Sequence, residues 1–133
     1  MKIKNNPFNI RYNAANRWKG LTGNYRGFCE FEDIKFSVRA AAHLLMWSYR
    51  KSGVMTYASI ISRWAPPTEN DTGAYICFIC KTLQVSATDS PNSVYDYARL
   101  LVRMAYFESS FVLDLKYTIF LINHFKIKIY GKA

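Results

Sequence analysis

SVYDYARLLVRMAYFESSF, residues 93–111, is the stretch whose reading decides the fold. Val94, Tyr97, Ala98, Leu101, Val102 and Ala105 recur at spacings of three and four. That period places them on one face of an α-helix, so a helix packed along one side is predicted here. The run closes on Glu108, flanked by Tyr106, Phe107 and Phe111. A carboxyl among apolar rings is poorly solvated when charged, and its pKa should rise. A general acid working near neutral pH needs that shift, which makes Glu108 a candidate proton donor. The other reading of the same residue is a surface glutamate at a helix end.

The helical period recurs on either side. In DIKFSVRAAAHLLMWSYRKSG, residues 33–53, it takes in Val38, Ala41, Ala42, Leu45, Met46 and Tyr49. Ser37 is the expected cap and Gly53 the expected stop. TYASIISRWA, residues 56–65, aligns Tyr57, Ile60, Ile61 and Trp64, with Thr56 as its cap. Pro66 and Pro67 must end that helix. Thr68, Asn70 and Asp71 are all side chains that cap helix N-termini well. A further helix should therefore run to about Gln84, with Tyr75, Ile76, Ile79 and Leu83 in register. So the polar cluster Thr68–Thr72 stops one helix and caps the next, and leaves Glu69 or Asn70 available to the rim of a site. SATDSPNS is a turn, and LKYTIFLINHF fits a buried helix to about Phe125. FKIKIYGK alternates, which suits either a short extended end or an edge strand. Residues 1–30 are rich in Asn, Gly and aromatics and have no period. A short hairpin is expected through GLTGNYRGF, residues 20–28. The fold class is thus mostly α: a single helical domain, residues 1–133, with an irregular N-terminal lobe over 1–36 and a helical core over 37–133.

Composition bounds the function. The 133 residues suffice for one domain with one core. Half are hydrophobic and 17% aromatic, which excludes a disordered chain. No run of about 18 apolar residues occurs, so no membrane span is expected. The opening MKIKNNPFNIRYN is too polar for a secretory signal. Lysine and arginine number 18 against 9 acids, a net charge of +9. That excess suits a polyanionic partner: nucleic acid, an anionic membrane, or a bacterial wall with its anionic polymers. Cys29, Cys77 and Cys80 make an odd count, against a disulfide framework. CFIC has metal-ligand spacing, but lacks a second pair and nearby histidines, so both cysteines are expected to pack in a helix. No metal and no cofactor are expected.

The N-terminal half carries a more specific signal. NNPFNIRYN, RWKG, GFCEF, SVRAAAHLL and the long TYASIISRWAPPTENDTGAYI together resemble a phage virion-protein family with lysozyme-like character. Its members read N-N-P-G-N-I-R, then W-x-G, then A-P-P-x-E-N-x-T-x-x-Y-I, and the match covers about Asn5 to Leu83. They close on a helix ending R-H-E-N-G, and RMAYFESS occupies that place with Glu108 at the glutamate. Four positions depart from the pattern: Phe8 for a glycine, Phe107 for the histidine, and Ser109–Ser110 for Asn-Gly. The opening segment also looks like the sugar-cleft strand of flagellar-type glucosaminidases. ESSF is itself similar to the E-S-x-F of lytic transglycosylases. There the glutamate precedes the cleft strand and here it follows, which implies lysozyme-like elements in rearranged order.

The resemblance implies a peptidoglycan-cleaving glycosidase, acting on the β-1,4 link between N-acetylmuramic acid and N-acetylglucosamine. Glu108 would be the acid, and Asn9, Arg11 and Trp18 would line the cleft, with Tyr12, Tyr25, Tyr75 and Asn70 as further contacts. Glu32 or Glu69 would activate water in an inverting hydrolase. With neither facing Glu108, attack by the sugar's own hydroxyl would make a lytic transglycosylase. Partners would be peptidoglycan glycan strands and the anionic cell wall, with no specific nucleic acid. The location would be a virion, or the wall or periplasm after release. Arg39 lies on an otherwise apolar helix and is expected to bond the N-terminal segment or Glu69. Two competing readings stand beside this one: a non-catalytic virion structural or wall-binding protein, and a nucleic-acid-binding module. The scattered basic residues and the absence of a nucleic-acid motif weigh against the last.

Overall fold

A two-stranded hairpin, β1 (Leu21–Tyr25) and β2 (Phe28–Phe31), precedes five helices in the computed structural model, which describes residues 3–132. The helices are α1 (Ile34–His43), α2 (Tyr57–Trp64), α3 (Thr72–Leu83), α4 (Val94–Ser109) and α5 (Leu115–His124). The chain is a small, mostly α domain. α4 is the central element, packing on α1, α3 and α5, while α2 packs on α3 and α1 reaches α5.

Each helix starts where a side chain satisfies its free N–H groups. Thr56 and Ser59 form a reciprocal capping box on α2. Asp71, Ser93 and Asp114 cap α3, α4 and α5. The expected cap of the first helix is corrected: α1 begins a turn earlier, where the Asp33 carboxylate accepts from Lys35 N at 2.9 Å. Ser37 is instead fully buried inside the helix and donates to Ile34 O. The first helix also does not stay α-helical. It continues as a π-helix over Leu44–Tyr49, a widened segment that periodicity could not foresee. The tail after α5 forms no strand among the described residues. It lies across the π-helical segment, where Tyr130 N donates to Met46 O at 2.9 Å and the Tyr130 ring meets Trp47 edge-on at 5.0 Å.

The hairpin forms as expected. Arg26 and Gly27 both have positive φ, 50° and 89°, as a two-residue turn of this hand requires. Gly20 is obligatory for another reason: a methyl there would lie 2.2 Å from the Phe36 ring. The segment before the hairpin is held by asparagines. Asn5 donates to Phe31 O and Glu32 O. Asn6 is buried; its amide donates to Ile10 O at 3.0 Å and Cys29 O at 2.8 Å, and its oxygen accepts from Ile10 N. Phe8, where the resembling family carries glycine, is fully buried in the core.

Because Asn6 satisfies three backbone groups at once, Asn6→Ala should cost about 3 kcal/mol, since each buried group left unpaired costs roughly 1–3 kcal/mol. Urea unfolding of the two proteins measures it. A loss under about 0.5 kcal/mol, the range of a neutral surface change, would show that the segment is held by something else.

Candidate functional site

Four parts of the chain meet at a cleft of about 480 Å³. Asn9, Arg11 and Tyr12 come from the N-terminal segment, and Leu44 and Tyr49 from the π-helical segment. Trp64, Glu69 and Asn70 come from the end of α2 and its following loop, and Glu108 from the end of α4. The proline stop after α2 explains the third group, since it turns the chain out along the cleft edge instead of continuing the helix.

Glu108 sits at the base. The Asn9 amide nitrogen reaches both its side-chain Oε1, at 3.0 Å, and its backbone carbonyl, at 3.1 Å. Asn9 holds φ at 54°, a left-handed backbone that asparagine tolerates better than most residues. The neighbouring Ser109 hydroxyl donates to Pro7 O at 2.8 Å, and Ser110 ends α4 at φ 56°. That last position is where the resembling family has its glycine. Burial pushes the Glu108 carboxyl above the ordinary glutamate value; the Asn9 bond, the Tyr75 hydroxyl, the Trp64 indole and the Arg11 charge each offset part of this. Only Asn9 makes a well-formed hydrogen bond among these. The Tyr75 hydroxyl is buried beside the carboxyl yet has no partner of good geometry. Burial and the Glu108 charge drive its own ionisation far out of range. The Tyr75 ring stacks on Phe107 at 4.0 Å, so Phe107, which stands where the family has histidine, forms part of the apolar wall behind the acid.

The rim is charged on both sides. Arg11 faces Glu69 at 3.7 Å, with both side chains more than half exposed. Such a pair contributes little to stability. Asn70 donates to Pro66 O, Asp71 caps α3, and the Thr72 hydroxyl donates to Ala65 O. The polar cluster is therefore a loop clasp and a helix cap, with Glu69 alone turned to the cleft's charges. On the facing wall Tyr49 and Trp64 meet edge-on at 6.3 Å. Burial pushes the Tyr49 hydroxyl up to about 12, against the pull of Arg63.

Of the residues expected from sequence, Asn9, Arg11, Tyr12, Glu69, Asn70 and Glu108 come together, with Tyr75 behind them. Trp18 and Glu32 are elsewhere. Trp18 packs edge-on against His43 at 6.0 Å, and exposed Glu32 follows β2 with its N–H on Gly20 O. Arg39 is a correction. It has neither Glu69, which Arg11 holds, nor a bond to the N-terminal segment, and instead lies over the Phe125 ring at 5.8 Å. Among the cleft residues without a functional signal in the sequence are Leu44, Tyr49, Arg63 and Trp64; Tyr49 and Trp64 read there only as helix positions.

No family model matches the chain. It is 35% identical over 82 residues to Protein P5 of Pseudoalteromonas phage PM2, an alignment taking in 56% of this chain and 49% of that protein. The chain thus spans about half the length of the curated relative it matches, and it is similar to a phage protein.

The raised Glu108 pKa has a stability consequence of fixed sign. The folded state holds this proton more tightly than the unfolded chain, so the folded state loses stability as pH rises from the ordinary glutamate value of 4.5 through the folded one. Glu108→Gln, which keeps an acceptor for Asn9, should therefore be more stable than the wild type at neutral pH and should lose that advantage below pH 4.5. Thermal melts of both proteins across pH test this, and a constant difference would refute it. Asn9→Gly suits the left-handed backbone and removes the amide, so it should raise the Glu108 titration further. Carboxyl NMR of Glu108 in the two proteins reads that directly.

Proposed function

We propose that the cleft is a glycosidase site with Glu108 as its general acid, acting on the β-1,4 linked glycan of peptidoglycan. One observation carries the reading: a carboxyl of raised pKa, held by Asn9 at the base of an open cleft walled by Tyr49 and Trp64. Glycoside cleavage needs a proton on the leaving oxygen while positive charge develops on the sugar ring. Protonated Glu108 supplies the first. Once ionised, it and Glu69 place negative charge near the second. The Asn9 amide turns the Glu108 Oε1 and fixes which oxygen faces the substrate. Aromatic faces suit the apolar faces of sugar rings, and the amides of Asn9 and Asn70 suit N-acetyl groups. The lysozyme-like resemblance agrees with this, and similarity to a phage protein is compatible with it, since a phage must pass its genome through the host's wall. A virion, or a wall reached from one, is the location that follows.

Glu69 is the remaining choice for activating water, because it lines the cleft and Glu32 does not. It is exposed and faces Arg11 at 3.7 Å. Without it, an internal attack by the sugar hydroxyl completes a lytic transglycosylase reaction.

The wild type should clear a suspension of purified peptidoglycan, and Glu108→Gln should be slower by about 10²–10⁴-fold, the usual contribution of a positioned acid. Mass spectrometry of the fragments identifies the bond. A reducing end shows hydrolysis, and an anhydro end with Glu69→Gln still active shows transglycosylation. Clearing by neither protein, with both still sedimenting on peptidoglycan, would replace this reading with a non-catalytic wall-binding virion component.

A further inference from the structure

A second groove, of about 300 Å³, lies between α1 with its π-helical continuation and the chain just after α5. Its walls are Arg39, His43, Trp47, Phe125, Lys126 and Lys128. It is distinct from the cleft, to which the same helical run turns Leu44 and Tyr49. Every charged side chain on it is a cation. Among the described residues the chain's one ion pair is Arg11–Glu69, so no carboxylate within 4 Å answers Arg39, Lys126 or Lys128. Arg39 is half-buried and makes no side-chain hydrogen bond among the described residues; its guanidinium and the Lys19 ammonium each lie 5.8 Å from the Phe125 ring centre. The half-buried His43 ring is held neutral by burial and by the Arg39 charge, so it keeps one N–H to donate.

Lys126 adds a second, independent sign. It has φ 55° directly after the end of α5, and the next residue's N–H closes back on Ile122 O at 3.1 Å. Glycine is the cheap residue at such a helix stop. A lysine there spends backbone energy to place a cation on the groove, at the negative end of the α5 dipole. The surrounding sequence is one-sided too: from Leu115 to Lys132 it carries Lys116, Lys126, Lys128 and Lys132, and no acid.

We propose that this groove binds a phosphate group, as a mono- or diester. A carboxylate sets two oxygens in one plane, whereas a phosphate sets four around a tetrahedron and can meet donors from several sides. A phosphate brings more oxygens, matches the planar fork of Arg39, and uses lysines as point charges. Trp47 and Phe125 then flank whatever the phosphate is attached to. The group could reach the groove free in solution or as the headgroup of an anionic lipid, and these sources are separable.

The test uses the ¹⁵N-labelled full chain, titrated with inorganic phosphate. It is mixed separately with vesicles of phosphatidylcholine alone and of phosphatidylcholine with phosphatidylglycerol. Shifts confined to Arg39, His43, Trp47 and Lys126 are expected. Affinity should fall roughly tenfold in Arg39→Gln and in Lys126→Gly, the loss of one charged hydrogen bond. Lys126→Gly relaxes the backbone, so its fold is retained. Lys81→Gln, on exposed α3, removes the same charge elsewhere and should change nothing. Response to inorganic phosphate identifies a soluble phosphate ligand, and response to the phosphatidylglycerol vesicles alone identifies the lipid headgroup. Binding of neither probe overturns the proposal. So does an equal loss in Lys81→Gln, which would make the attraction one of net charge.

Discussion

The amide of Asn9 on the end of α4 is the contact on which the cleft depends. It joins residues 99 apart in sequence, and it does two things with one nitrogen. The Glu108 carbonyl belongs to the last turn of a helix, where carbonyls have no partner in the helix itself. Asn9 satisfies that carbonyl and, from the same atom, fixes the carboxyl beyond it. The Ser109 hydroxyl on Pro7 O makes the junction two-pointed, so the N-terminal segment cannot swing about a single bond. Asn5 and Asn6 secure the other side of that segment to β2 and to its own backbone. The irregular start of the chain is therefore rigid, with asparagine side chains supplying what a sheet ladder would supply elsewhere.

The electrostatics at Glu108 follow from that geometry. Burial, and the negative end of α4, disfavour the carboxylate. Asn9 and Arg11 favour it, yet Arg11 is shared with Glu69 across 3.7 Å. A guanidinium engaged by one carboxylate stabilises a second less. The balance leaves Glu108 raised, and Tyr75 contributes an unpartnered hydroxyl beside it instead of a full bond. Phe107, stacked on Tyr75, adds apolar surface on that side.

Helices were legible because their period and their caps agree. Thr56, Asp71 and Ser93 each stand immediately before an apolar stripe, and each caps it. Where two cap residues competed, at Asp33 and Ser37, the earlier one prevailed, because starting at Asp33 also brings Ile34 and Phe36 onto the apolar surface packed against the core. The π-helical segment was illegible, since the apolar residues from Val38 to Tyr49 keep α-helical spacings straight through it. Tyr49 and Trp64 read in the sequence as helix positions, and their spacing alone does not mark them as cleft walls. Glu108 was legible from its apolar neighbours. Trp18 and Glu32 were assigned to the cleft by resemblance and motif order alone, and three-dimensional packing put both elsewhere. The partner of Arg39 was illegible because Arg11, far away in sequence, is the guanidinium that folding brings to Glu69.

The distribution of charge ties the two concave surfaces together. The chain carries nine excess positive charges, and an acid surrounded by them would be held ionised. The cleft avoids this by local balance: its charged walls are Arg11 and Arg63 against Glu69 and Glu108. The unbalanced cations Arg39, Lys126 and Lys128 stand on the other groove. At physiological salt, exposed charges act over about 8 Å, so cations on a different surface weigh little on Glu108. The helix that separates the two surfaces is α1 with its π-helical end, which turns Leu44 and Tyr49 one way and Arg39, His43 and Trp47 the other. A strongly basic protein can in this way keep a carboxyl of raised pKa in one recess while presenting its positive charge in another.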